Sequence, residues 1–319
     1  MIWIVVIASA VILIIAITLA VIFSIFRKSF TRLPPEKNAA FTADSNELVS
    51  KSLSSENAKR IAEGIAWVRS RDCEHIYITS FDGLKLHAKL LKNPIPNGRI
   101  MLLAHGYHSF PEYDFSCSFR LYYNLGYDML LIDQRAHGES EGKYITFGVR
   151  ERYDILKWCE YLDSRFGKDR RIVLGGISMG CTAVLLAAGL PSLPDSVIGI
   201  VADCGFTSPY YEFAHVMKHS MHIPVFPFLD IASAISKSVM GFGFRDCTTV
   251  DAVKKTHLPI LFIHGEDDTF VPPENTIINY DACISRKELI LVPDAGHGLS
   301  FLVDERLCTE KLIDFLDSL

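Results

Sequence analysis

No two of the eight cysteines, Cys73 to Cys308, form a CxxC pair, and their spacing follows no pattern. This argues against a cysteine zinc site and a disulfide framework; scattered thiols in a long chain fit a reducing compartment. No basic stripe marks the 319 residues, whose net charge is −5, so nucleic acid is not an expected partner. No internal repeat or low-complexity tract appears. No basic side chain precedes the first apolar run, and only Met1 stands ahead of it.

That run, Ile2 to Phe26, is broken only by Ser9, Thr18 and Ser24. About 20 such residues cross a bilayer as a helix. A cleaved signal peptide would want a basic start, a shorter apolar core and a small-residue cleavage site, none of which is here. The reading is an uncleaved transmembrane anchor over residues 1–28. Arg27, Lys28, Arg32 and Lys37 follow the span, which places the rest of the chain on the cytoplasmic side.

Residues 29–53, with a proline pair and many small polar residues, read as a linker to a domain over 54–319. An amphipathic helix opens that domain, with Ile61, Ile65, Ala66 and Val68 on the face expected to pack on the body. "HIYITS" and "LKLHAKLL" flank Phe81-Asp82-Gly83, a hairpin signal. Six apolar runs follow, from "RIMLLAHG" to "KELILVP", separated by helical stretches such as Val149 to Phe166. Continuous apolar runs suit parallel strands buried on both faces. The expected fold is α/β, a mostly parallel sheet of about eight strands flanked by helices, with ligands at the carboxyl ends of the strands. One segment breaks the rhythm. Residues 206–256 are aromatic and proline-punctuated, and are expected to form a small helical lid over the strand ends.

Gly176-Ile177-Ser178-Met179-Gly180 follows an apolar run and precedes a helical stretch. In a sharp strand-to-helix turn, the residues two before and two after the serine must be small, and the hydroxyl is pushed out above the sheet. The following helix aims its N-terminal N–H groups at that point, favouring developing negative charge. Ser178 is therefore the expected nucleophile, with Gly176 and Gly180 forming the elbow.

A serine hydroxyl needs a base. His297 lies between small residues after the last apolar run and is the expected base. Asp268, three residues before Val271-Pro272, is the expected acid, to hold the imidazole and stabilise its cation; Asp203 and Asp267 compete for that role. Two oxyanion donors are needed. They are expected at the backbone N–H groups of Met179 and Tyr107, with His105 bracing the loop around Tyr107. His215, His219 and His222 stand at helical spacing, but without an accompanying glutamate they read as a lid face, not a zinc site. No metal or cofactor is expected.

The set "LLAHGY", "DQRAHGES", "GGISMG", "HGEDDTFVP" and "DAGHG", in this order, resembles the α/β-hydrolase superfamily, most closely its serine aminopeptidase-like and monoacylglycerol lipase-like hydrolases. The resemblance covers Ile76 to Leu319. It implies the α/β-hydrolase fold, Ser178, Asp268 and His297 as the triad, and an oxyanion hole at Tyr107 and Met179. It also makes Asp133, Arg135 and Gly138 a structural loop near the site. The N-terminal anchor is not a general feature of the family, and the lid matches no particular substrate. Relatives with aspartate or cysteine at the elbow do other chemistry, so serine here implies acyl transfer to water.

The function expected from the residues and the resemblance together is a membrane-anchored serine esterase acting on a small acyl ester with a hydrophobic part. The alternatives are a ligand-binding protein that turns nothing over, and a peptidase or acyltransferase using the same triad.

Overall fold

The apolar runs form one eight-stranded sheet in the computed structural model, which describes residues 2–33 and 54–319. The strands are β1 (Cys73–Thr79), β2 (Lys85–Leu91), β3 (Arg99–Ala104), β4 (Asp128–Ile132), β5 (Arg171–Ile177), β6 (Val197–Asp203), β7 (Ile260–Gly265) and β8 (Lys287–Val292). Their spatial order is β1-β2-β4-β3-β5-β6-β7-β8. β2 pairs antiparallel with both β1 and β4, and the remaining pairs are parallel.

Side chains alternate faces along each strand. In β3, Ile100, Leu102 and Ala104 enter one core layer, while Met101 and Leu103 enter the other. Among the described residues twelve helices accompany the sheet: α1 (Ile2–Phe30), α2 (Ser55–Arg69), α3 (Pro111–Asp114), α4 (Phe119–Asn124), α5 (Glu151–Phe166), α6 (Met179–Ala188), α7 (Pro209–His219), α8 (Phe228–Met240), α9 (Thr249–Val253), α10 (Glu274–Ala282), α11 (Ser300–Val303) and α12 (Glu305–Asp317). Helices α5 and α6 cover the first face through Ile155, Trp158, Val184 and Leu185. Val68 of α2, Phe119 and Tyr122 of α4 and Leu312 and Phe315 of α12 cover the second. Every residue of α6 is buried, as its all-round apolar sequence requires.

Helix α2 begins at Ser54, whose side chain caps Asn57 N–H, and buries Ile61, Gly64 and Val68. Of its expected inner face Ile61 and Val68 are buried and Ile65 is half-buried, but Ala66 is exposed; Gly64 takes its place, so close to the body that a Cβ there would lie 2.1 Å from Ser116 O. Between β6 and β7 the aromatic segment folds into α7, α8 and α9, and its apolar side chains form a separate cluster with Phe147, Phe206 and Met179.

The D-x-R-x-x-G loop after β4 ties the hairpin to the helices. Arg135 makes hydrogen bonds of 2.6 and 2.7 Å to Asp154 of α5, and of 2.9 and 3.2 Å to Asp82 at the hairpin turn. Asp133 accepts from His87 at 2.7 Å and from the Glu139 N–H at 2.8 Å.

Helix α1 continues two residues past the boundary expected at Lys28, and its end is not free. Phe30 is buried, with ring contacts to Phe147 (5.1 Å), Phe213 (5.2 Å) and Phe244 (5.4 Å). Thr31 bridges to Tyr144, and Ile145 N–H donates to Phe30 O at 2.8 Å. The Arg32 guanidinium donates to the carbonyls of Gly138 and Ser140. The start of the expected linker is therefore docked on the body; residues 34–53 lie outside the described residues. Among the described residues no helix is long and apolar enough to cross a membrane. Many side chains of α1, where the anchor is expected, also lie outside them.

Candidate active site

Ser178 sits between β5 and α6 with φ 55° and ψ −119°, a strained conformation for a residue with a side chain. The close packing around it accounts for both flanking glycines. A Cβ on Gly176 would lie 2.5 Å from Gly180 O, and one on Gly180 would lie 2.0 Å from Ala104 O. The corner closes only without those atoms.

The Ser178 hydroxyl lies 2.9 Å from His297 Nε2, and His297 Nδ1 lies 2.6 Å from Asp268 Oδ2. Asp268 follows β7, and its Oδ1 accepts from the N–H groups of Phe270 and Val271, both at 2.9 Å. Its Oδ2 also lies 3.1 Å from His264 Nε2, whose ring is fixed by Val271 O and the Thr276 hydroxyl. Burial works against the Asp268 anion, but the two imidazoles hold its carboxyl well below the usual range. Burial likewise works against a charged His297, and the Asp268 carboxylate outweighs it, so the imidazole binds its proton more tightly than usual. The pair is set to carry a proton on Nδ1, leaving Nε2 to accept from serine.

The two competitors for the acid are placed elsewhere. Asp267 is exposed. Asp203 ends β6, buried, with one oxygen unpartnered, and burial raises its pKa to about 7. It makes no hydrogen bond to His297 and instead lines a cavity beside Ser178.

The loop after β3 runs alongside Ser178: a Cβ on Gly106 would lie 3.4 Å from Ser178 Cβ. Asp114 fixes this loop by accepting from Gly106 N–H and the Ser109 hydroxyl, each at 2.6 Å. His105 is fully buried and braces it, with Nε2 accepting from Gln134 N–H at 3.1 Å and Nδ1 lying 2.8 Å from Gly106 O. Tyr107, the next residue, stacks on Phe147 and donates its hydroxyl to Ser29 O at 2.9 Å. Met179, which carries the other expected donor, is the first residue of the buried helix α6.

Two cavities meet at Ser178 and share Tyr107 and Phe270. One, of about 370 Å³, runs toward Ile61, Ser116, Asp203 and Leu302. The other, of about 450 Å³, is strongly apolar; it lies between α7, α8 and the end of α1, with Ile22, Ile25, Phe213, Met217 and Leu229 in its walls.

The histidine trio does not share one face, because α7 ends at His219 and His222 lies beyond it with φ 56°. His215 instead hydrogen-bonds Thr269 O at 2.9 Å and stacks on His219. Among the described residues, the groups with metal-ligand spacing are His75, His87 and Glu139, and Cys204, Asp268 and His297. The second overlaps the serine site. All eight cysteines are free thiols.

Four contributing residues carry no signal in the sequence. Asp114 and His264 act through hydrogen bonds that form only in three dimensions, although His264 precedes the acid by four residues. Ser29 and Phe30 fall at the start of the expected linker, whose composition gives no sign of a role in the site.

The model of the alpha/beta hydrolase family matches residues 101–309. A Bacillus subtilis protein named Uncharacterized protein YqkD is 29% identical over 199 residues, 62% of this chain; the match spans 65% of that relative's length. The zebrafish (Danio rerio) Lysophosphatidylserine lipase ABHD12 is 25% identical over 189 residues, 56% of this chain and 44% of its own. The solved structure of the Pyrococcus furiosus esterase Pf2001 superposes with a TM-score of 0.64 at 24% identity, covering 78% of this chain and 92% of that one.

Proposed function

This chain belongs to the alpha/beta hydrolase family, and from that premise we propose that it is a membrane-anchored serine hydrolase cleaving carboxylic acyl esters. The observation that carries the proposal is the continuous hydrogen-bonded chain from Ser178 through His297 to Asp268, at the mouth of a large apolar cavity. Ser178 Oγ attacks the ester carbonyl while His297 Nε2 takes its proton. The N–H groups of Tyr107 and Met179 receive the developing oxyanion. His297 then protonates the departing alcohol, leaving an acyl-enzyme. Water, deprotonated by the same imidazole, releases the acid and restores Ser178.

The apolar cavity supports an acyl group with a substantial hydrophobic part, and the names of an esterase and a lipase among the relatives agree with that substrate class. Anchoring is supported by the apolar run from Ile2 to Phe26. Its backbone forms one helix of 29 residues, about 43 Å at 1.5 Å per residue. The basic flank after the run puts the catalytic domain on the cytoplasmic side.

The test is labelling of the full chain by a fluorophosphonate probe, together with hydrolysis of p-nitrophenyl esters. Labelling and hydrolysis that both vanish in Ser178→Ala are expected. Absence of both in the wild type, or activity retained in the variant, overturns the proposal.

A further inference from the structure

The apolar cavity beside Ser178 contains one carboxyl group. Glu212, in the first turn of α7, is 4% exposed, and neither of its side-chain oxygens has a hydrogen-bond partner. Its neighbours along the cavity wall are Phe206, Phe213, Phe270 and Val271. It does not cap its helix, because Ser208 fills that place by accepting from Tyr211 N–H. Nor does it pair with a cation. A buried polar group left unpaired is costly, so one that faces a ligand cavity marks the place where a ligand group completes it.

Resting on the acyl-ester reading above, we propose that Glu212, as a neutral carboxylic acid, hydrogen-bonds a hydroxyl on the acyl part of the substrate. The preferred substrates are then hydroxyacyl esters rather than plain fatty acyl esters. Burial raises the pKa of Glu212 to about 8, and the groups that act on it electrostatically are His297, which lowers it, and Asp268, which raises it. A neutral acid offers both a donor and an acceptor to a hydroxyl. An ammonium group would demand the anion. Both charges would then leave water for an apolar wall, at a cost of several kcal/mol. The anion would also strengthen proton binding at His297 and hold the base in its charged form.

The experiment compares kcat/KM for p-nitrophenyl octanoate and its 2-hydroxy, 3-hydroxy and 2-amino analogues, using the full chain. A preference of about tenfold for a hydroxyoctanoate over octanoate is expected. That ratio should fall toward one in Glu212→Leu and persist in Glu212→Gln, whose amide also donates. In the wild type the ratio should decline above about pH 8, where the carboxyl ionises. Taking a ratio cancels the titration of His297, which both esters share, and this arm needs no variant to fold. An equal ratio in wild type and Glu212→Leu, or a preference for the amino ester, overturns the inference while leaving the hydrolase reading intact. No hydrolysis of any ester, with no probe labelling, overturns both.

Discussion

His297 Nε2 stands 2.9 Å from Ser178 Oγ, across 119 residues of chain. The contact is made by two loop ends on one rim of the sheet, after β5 and after β8. Replacing Ser178 with alanine removes the proposed nucleophile and leaves the other groups in place. Activity on p-nitrophenyl esters should fall by about 10⁴-fold or more. Steady-state kinetics with active-site titration measures it, and a fall of less than about tenfold would show that another group attacks.

Asp268 has a second expected effect, on pH dependence. The proposed hydrolysis needs neutral His297, so kcat/KM should rise with pH through a midpoint above 6.5, the ordinary histidine value from which the Asp268 carboxylate raises it. In Asp268→Asn that source is gone and burial remains. The midpoint should move to lower pH while kcat drops by about 10⁴-fold. An unchanged midpoint in the pH–rate profile would mean that the carboxylate does not govern the imidazole.

The sheet and the elbow were legible in the sequence because both rest on local rules. Short continuous apolar runs separated by helical stretches fit strands buried on both faces, and Gly176 and Gly180 fit a corner whose geometry excludes a Cβ. The residues Ser178, His297 and Asp268 could be named because each follows a strand. Contacts made by side chains from unrelated segments were not legible. Asp114 holding Gly106 N–H and His264 beside Asp268 have no spacing signature. Helical spacing misled at His222, since the chain turns after His219. A linker composition concealed Phe30 and Arg32, whose partners lie more than a hundred residues away.

Arg135 pairs with both Asp154 and Asp82, the latter shared with Arg150, and is 3% exposed. Arg135→Met would leave the Asp154 carboxylate buried without its cation, at a cost of about 3–5 kcal/mol. Urea unfolding should show this as a lower midpoint with an unchanged slope. A loss under about 1 kcal/mol would mean that water reaches those carboxylates.

Asp203 should make stability depend on pH in the opposite sense to a salt-bridged acid. Burial raises its pKa from 3.8 to about 7. The stabilisation of its neutral form is therefore complete below the unfolded value and is lost as pH rises through about 7. Asp203→Asn should gain little near pH 3.5, below the unfolded value, and about 2–4 kcal/mol near pH 8. Thermal unfolding at the two pH values tests this, and a gain independent of pH would refute it.

The end of α1 should set chain-length preference. Phe30→Ala opens the apolar cavity next to Phe213 and Phe244. At about 0.8 kcal/mol per methylene, losing the contacts of two methylenes costs roughly tenfold in kcat/KM. The ratio of dodecanoyl to butyryl ester hydrolysis should fall by that factor. An unchanged ratio would place the acyl chain in the other cavity.

Only the junction between Phe30 and Thr31 separates the end of α1 from its bridge to Tyr144, so no slack exists between helix and body. The end of that helix is thus fastened directly to the rim formed by residues 138–147 and, through Ser29, to the ring of Tyr107. Post and door frame are thus one piece: the contacts that fasten the helix to the body are also the contacts that frame the way in to Ser178.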